Sequence, residues 1–367
     1  MTNTLCTDTL LNNFSELFAA VPHLVGFYPE DSLVLIAVNG EEPHRRFGLT
    51  VRTLLPDADD VEGYVAELSA GALRTVRARA LVVLVVAASP AVPEGVPLRD
   101  ERPTDAAPPG TPAPPYRDVV EGVAAAFRSA GIDVVHSAWT AQVRLGQEWL
   151  CYAEDQCRGE ICDPEISLLG TVLTVNGCVT YWNRGELEKV VASESDAALA
   201  RRSAALDVLA EDTEQDRGVS PRPWRDCEKV FAAIRRTAED AALTEDDLLE
   251  VLLALSDPRV RDFSLSAVLD DEIAGAAERL WTTLVRKAPQ PELADVASLL
   301  AISAYMRGDG ALAGVALARI EETRPEHQLG LLLRRATELA IPVDDLERII
   351  REAASDARTT MDEGEAW

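Results

Sequence analysis

Two apolar rhythms divide this chain. Up to about residue 210 the period of a strand alternates with that of a helix. Leu10, Leu11, Phe14, Leu17 and Phe18 share one helical face, which Pro22 should end because proline lacks the amide a helix needs. Ser32 to Val38 is apolar almost without interruption and predicts a buried strand. Asn39-Gly40 signals a turn, and Phe47 to Thr53 predicts a second strand, antiparallel to the first. From Asp57 to about Leu73, acidic residues open a segment that sets Val61, Tyr64, Val65 and Leu68 on one face, as a helix does. "ALVVLVVAAS" (80–89) is apolar on both faces and so belongs in the middle of its sheet. Tyr116 to Ala130 resumes the helical period, with Val119, Val120, Val123 and Phe127 inward and Gly131 as its cap, and Ile132 to Thr140 is the next strand. A helix over Pro164 to Val175, a short strand over Cys178 to Trp182 and a helix from Glu186 to about Leu209 complete the alternation.

Beyond these residues the strand period is gone. Helices are predicted over Trp224–Ala242, Thr244–Leu255, Asp270–Arg286, Pro291–Met306, Gly310–Thr323, Glu326–Ala340 and Val343–Ala354, and Thr244 with Asp247 is spaced as a capping box. Ala301, Ala313 and Pro325 have the spacing of one tetratricopeptide-type hairpin. Strand–helix alternation followed by helices alone predicts α/β organisation: a mixed-sheet α/β N-terminal domain, then an all-helical, solenoid-like C-terminal domain. The first covers 1–210 and includes a Pro-rich loop at 89–115, where missing amide donors keep the chain extended. A polar linker at 211–223, the helical domain at 224–356 and a disordered tail at 357–367 follow.

Composition narrows the partners. The chain has 367 residues, enough for two cores, and its 62 acidic against 35 basic residues give a net charge of −27. No surplus of cations exists to neutralise a phosphate backbone, so nucleic acid is not expected, whereas a protein partner with a basic surface would suit the charge. The longest apolar run, Ala80 to Ala88, is far short of the roughly 20 residues a membrane helix needs, so no membrane association is expected. The N-terminus has neither a basic start nor a continuous apolar core, which predicts a cytoplasmic protein whose six cysteines are reduced thiols. Oligomeric state is left open.

Candidate chemistry is thin. Glu30, Asp31 and Ser32 follow Pro29 at the mouth of a strand, where acid–base or binding groups can sit, yet turn chemistry accounts for the same residues. Cys151, Cys157 and Cys162 cluster, with Cys178 and His136 as further metal ligands to consider, but five and four residues separate the three thiols where zinc sites favour two to four. Trp149, Tyr152 and Asp155 lie in the same stretch, and the two aromatics suit a ligand surface or a core. His136 alternates with Val134 and Ala138 along one strand face, as a hydrogen-bonded core histidine would. There is no phosphate-cradling glycine loop or nucleophile elbow, so no catalytic residue, metal or cofactor is assigned. "RGD" at Arg307 to Asp309 is explained by turn chemistry.

Several segments resemble an uncharacterised actinobacterial family, domain-of-unknown-function family 4192. The pattern "P-x-L-x-G-F-x-P-E-D-S-L-V" is met by Pro22, Leu24, Gly26, Phe27, Pro29, Glu30, Asp31, Ser32, Leu33 and Val34. Gly131, Ile132, Val134, Gly146, Trp149 and Tyr152 are similar to a second stretch, Asn183, Arg184, Glu186 and Leu187 to a third, and Tyr305 to Ala313 to a fourth. Relatives commonly pair adjacent cysteines with a proline after the tryptophan stretch, whereas Cys157 and Cys162 are apart here. The resemblance implies no activity. The leading expectation is a binding or regulatory protein acting through protein–protein contacts of its helical half. The alternative is a small-molecule-binding protein or enzyme using the α/β domain around Glu30, Asp31, Asp155 and Cys157.

Overall fold

The fold is that of a computed structural model, which describes residues 13–39, 46–71, 73, 76, 78–89, 113–153, 157–167, 170–172, 179–215 and 223–365. Leu10, Leu11, Asp155, Cys178, most of the Pro-rich loop and residues 216–222 of the linker lie outside the described residues. Contacts divide the chain into two compact units, Met1–Arg184 and Gly185–Trp367.

The first unit is built on six strands: β1 (Ser32–Asn39), β2 (Arg46–Leu54), β3 (Ala80–Val86), β4 (Asp133–Thr140), β5 (Glu148–Cys151) and β6 (Arg158–Glu160). Their order is β2-β1-β3-β4-β5-β6, with β3–β4 parallel and the other pairs antiparallel, so the sheet is mixed as expected. β3 is central, and both of its faces are buried because successive side chains point to opposite sides. Leu33, Leu35, Leu81, Val83 and Val85 pack with α2 (Val61–Ala70) and α3 (Arg117–Ser129) through Val61, Val65, Val119, Val123 and Phe127. The other face carries His136 and Trp149, which meet Phe14 of α1 (Phe14–Val25).

Several expectations are corrected here. Pro22 does not end α1, which runs on to Val25 and stops at Gly26, whose φ of 83° suits a residue without a side chain. Strands β5 and β6 carried too short an apolar signal to be expected, whereas the described part of the strand expected at Cys178–Trp182 is one isolated bridge from Phe27 to Tyr181. Of the helix expected over Pro164–Val175, the described part is a 3-10 turn at Pro164–Ile166 and a helical piece at 170–172. His136 and Val134 do not share a face. The β3–β4 register slips between Leu81 and Val82, which leaves Val134 in the α2/α3 core and turns His136 towards Phe14.

The second unit is helical throughout its regular structure. The expected helix 186–209 is two, α4 (Arg184–Val190) and α5 (Asp196–Gln215), and the contacts group α5 with the helices after it, where the sequence had placed it with the sheet. Then come α6 (Pro223–Ala238), α7 (Glu245–Leu255), α8 (Pro258–Ser264), α9 (Ala274–Lys287), α10 (Leu293–Arg307), α11 (Gly310–Thr323), α12 (Gln328–Glu338) and α13 (Val343–Glu365). The short α8 was not expected. The capping box is present: Asp247 N–H donates to Thr244 Oγ1 at 3.1 Å and Thr244 N–H to Asp247 Oδ2 at 2.7 Å.

Helix α10 is apolar on all sides and its first twelve residues are buried, which makes it the centre of the unit. Gly308 (φ 87°) caps it and Asp309 caps α11 by accepting from Leu312 N–H at 2.9 Å, so the "RGD" tripeptide is the tight turn between them. Residues 357–365 are not a disordered tail but continue α13. Met361 is buried against Cys227 of α6, and Trp224 Nε1 donates to Asp362 Oδ1 at 3.1 Å. The last helix thus returns to α8 and, more than a hundred residues back, to α6, whereas a solenoid repeat touches only its neighbours. The solenoid-like part of the expectation is therefore dropped.

Candidate functional site

Glu30 and Asp31 form a turn before β1, with Asp31 at φ 41° and both side chains exposed. Ser32 is buried. Its Oγ donates to the Glu30 carbonyl at 2.5 Å and accepts from Arg52 Nε at 2.8 Å, while Arg52 Nη2 also reaches that carbonyl at 3.3 Å. The same guanidinium lies 5.6 Å from the Phe27 ring centroid. Burial and the neighbouring Arg184 hold the Arg52 pKa below its ordinary value. Leu55 N–H closes the turn by donating to the Asp31 carbonyl at 3.0 Å.

Of the remaining sequence candidates, Asp155 lies outside the described residues, and Trp149, Tyr152 and Cys157 sit on or beside β5. Trp149 and Tyr152 are both buried and on opposite faces of the sheet. Trp149 packs under α1, donating from Nε1 to Ser15 Oγ at 3.1 Å. Tyr152 lies in the α2/α3 core with its hydroxyl on the Pro115 carbonyl at 2.6 Å, and burial raises its phenol pKa. Cys157 belongs to the β5–β6 hairpin, where its carbonyl accepts from Cys151 N–H at 2.9 Å. Between β1 and β5 stand β3 and β4, so the strand that follows Asp31 and the one bearing Cys151 are about 14 Å apart at ~4.8 Å per strand. Cys162 Sγ donates to the Ser15 carbonyl at 3.5 Å, and burial, with Glu16 beside it, pushes the thiol up to about 11. Among the described residues no group of three or more His, Cys, Asp or Glu could hold a metal ion.

What the fold does join is two stretches far apart in sequence. Phe27 bridges to Tyr181, Tyr28 N–H donates to the Tyr181 carbonyl at 3.1 Å, and Tyr181 N–H donates to the Gly26 carbonyl at 2.9 Å. This pairing stacks the Tyr28 and Trp182 rings, 5.4 Å between centroids and 20° between planes. His23, one helical turn earlier, holds the neighbouring turn: its Nε2 donates to the Pro164 carbonyl at 2.8 Å and its Nδ1 bonds Thr180 Oγ1 at 2.8 Å. A carbonyl can only accept, so in the neutral ring Nδ1 is the acceptor.

The helical unit contributes a cleft of about 590 Å³. Its lining includes the apolar Val268, Leu269 and Met306 and the charged Asp271, Glu278, Arg307, Glu347 and Arg351. Arg307 is fixed by Glu278 (2.9 and 3.1 Å) and by Asp309 (3.1 Å), and Arg351 pairs with Glu347. Both cations of the lining therefore have carboxylate partners, and Asp271 adds a further carboxylate. The volume is in the range that takes a small ligand or a few side chains of a peptide. This cleft was not legible in the sequence, because α8–α9 loop, α9, α10 and α13 residues supply it from four separate places.

The motifs now have positions. The profile of a family described as a domain of unknown function (DUF4192) matches residues 15–343, most of the chain. The chain belongs to that family. The Phe27–Tyr181 bridge joins the first family-like stretch to a residue two positions before the third, and Arg307 of the fourth lines the cleft. No curated protein and no solved structure matches the chain. Among the described residues no helix is long and apolar enough to cross a membrane.

Proposed function

We propose that this member of the DUF4192 family is a binding protein that acts through protein–protein contacts, with the helical unit's cleft as the recognition surface. The observation that carries the reading is the 590 Å³ cleft itself, whose lining mixes apolar and charged side chains. The apolar ones suit one or two side chains of a partner segment while the charged ones set charge preference. Asp271, Glu278 and Glu347 outnumber Arg307 and Arg351 in that lining, so a segment with lysine or arginine beside an apolar residue fits it. The charge of −27 favours the same partners and makes the contact weaken as salt rises.

Gly275 makes the test clean. A Cβ there would meet only Arg279 Nη1, at 4.0 Å, so a side chain at Gly275 starts from open space in the cleft lining, and Gly275→Phe adds bulk there. The tagged full chain should capture a stoichiometric partner from native lysate at low salt, release it at moderate salt, and lose it as Gly275→Phe. Equal capture by a folded Gly275→Phe variant would remove the cleft from the reading. A ligand site around Glu30 and Asp31 is the second reading, favoured by the positive φ of Asp31 at a strand mouth.

A further inference from the structure

The cleft lies wholly within the helical unit, and most of its charge is already engaged. Arg307 lays its planar fork on Glu278, with Nη2 donating to Oε1 at 2.9 Å and Nε to Oε2 at 3.1 Å, and Nη2 also reaches Asp309 Oδ2 at 3.1 Å. Arg351 pairs with Glu347 one turn earlier on α13. Two polar side chains of the lining stand outside these pairs. Among the described residues neither the exposed Asp271 carboxylate nor the Ser303 hydroxyl has a hydrogen-bond or ion-pair partner.

Ser303 is the telling one. It sits inside α10 and is 5% exposed. A serine or threonine within a helix can satisfy its hydroxyl on the carbonyl four residues back. In this unit Ser264 Oγ does so on Val260 at 2.7 Å, and Thr282 Oγ1 on Glu278 at 2.8 Å. Ser303 makes no such bond to Leu299, and a buried hydroxyl left without a partner costs stability. Ser303 also lines a small space of about 150 Å³ beside the buried Trp281 and Leu299, so it stands where the cleft meets the core.

We infer that the cleft takes a lysine side chain of its protein partner, with Ser303 Oγ as an acceptor for the ammonium; the inference rests on the cleft reading above and narrows its occupant. Arginine is the poorer fit. A guanidinium binds best where a carboxylate offers both oxygens to its fork, and the carboxylates of Glu278 and Glu347 already serve Arg307 and Arg351. A lone hydroxyl is a point acceptor, which suits a compact ammonium with three donors. The apolar Val268, Leu269 and Met306 suit the four-carbon stem, and the unpaired Asp271 carboxylate draws the charge in. An anion fits less well, because both cations of the lining are held by carboxylates.

The test titrates the full chain at low salt with capped Leu-Lys-Leu, Leu-Arg-Leu and Leu-norleucine-Leu peptides, followed by saturation-transfer NMR. The lysine peptide should bind saturably and about threefold or more tighter than the arginine peptide. Norleucine keeps the stem without the charge and should bind weakest. Ser303→Ala should weaken the lysine peptide about tenfold and bring it level with the arginine peptide, and Asp271→Asn should weaken it about two- to threefold. Ser303→Ala removes a hydroxyl that has no partner in the free protein, so its Tm should equal or exceed that of the wild type. A clear fall in Tm would give the hydroxyl a structural role and overturn the inference. Unchanged lysine binding by Ser303→Ala, or equal affinity for lysine and arginine, would also overturn it, and if that binding is still lost in Gly275→Phe the cleft reading stands alone. Lysine binding that survives Gly275→Phe places the peptide elsewhere and overturns both. No saturable lysine binding removes the lysine assignment and leaves the cleft to the lysate capture.

Discussion

Replacing Asp295 by asparagine should be among the costliest conservative changes in the helical unit. Asp295 is buried on α10 and its Oδ1 accepts from Arg261 Nη1 of α8 at 2.6 Å and from His327 Nε2 at 3.0 Å. His327 in turn accepts Gly330 N–H on Nδ1 at 3.1 Å and so caps α12. One carboxylate therefore joins three helices. Asparagine keeps the shape and an acceptor for His327 but leaves the Arg261 guanidinium, whose side chain is only 11% exposed, with Asp262 as its remaining carboxylate at 2.8 Å. Breaking a buried pair costs about 3–5 kcal/mol, and the surviving Asp262 pair moves the expectation to about 2–3 kcal/mol. For a unit of this size that is a fall of about 5–10 °C in Tm.

The pH dependence has a definite sign. Burial works against the Asp295 charge, but the hydrogen bonds from His327 and Arg261 outweigh it and hold the carboxyl below the usual carboxylate range. A depressed pKa contributes stability above the unfolded value of about 4 and loses it as pH falls through the folded value. The gap between wild type and Asp295→Asn in urea should thus be full at neutral pH and shrink below about pH 4. The reasoning is refuted if Asp295→Asn lies within about 0.5 kcal/mol of wild type, or if a double-mutant cycle with Arg261→Met gives no coupling.

Two further outcomes follow from the same reading. Glu30→Gln combined with Asp31→Asn should change stability by less than about 0.5 kcal/mol, whereas Arg52→Met, which strips Ser32 Oγ and the Glu30 carbonyl of a donor, should cost about 1–2 kcal/mol in the same urea assay. Truncation after Ser355 should uncover Cys227, whose thiol burial pushes up to about 12. A thiol reagent at pH 8 should then label Cys227 in the truncated chain and spare it in the intact one, and equal labelling would count against the packing of Met361.

How much of this was legible before the fold depended on the range of the signal. β1, β3, α3, β4 and the capping box at Thr244 were written locally, in uninterrupted apolar runs or fixed side-chain spacings, and formed where expected. β5 and β6 were not, because four and three residues are too few to show a period and gain their hydrogen bonds only from the neighbouring strand. The same distinction separates the candidate residues. Glu30, Asp31 and Ser32 read locally as a turn and are one. Trp149 and Tyr152, close in sequence, go to opposite faces, because side chains alternate across β5 and its continuation.

The sequence alone determined the family, the mixed sheet followed by helices, and the net charge of −27, since motifs, periodicity and charge are properties of the chain read in order. Only the tertiary structure decided that Tyr28 meets Trp182 across more than 150 residues, that α13 turns back onto α6, and that four helical segments enclose a cleft. Those contacts arise because buried apolar faces must find partners wherever the chain can supply them, and nothing in local spacing says which partner is found.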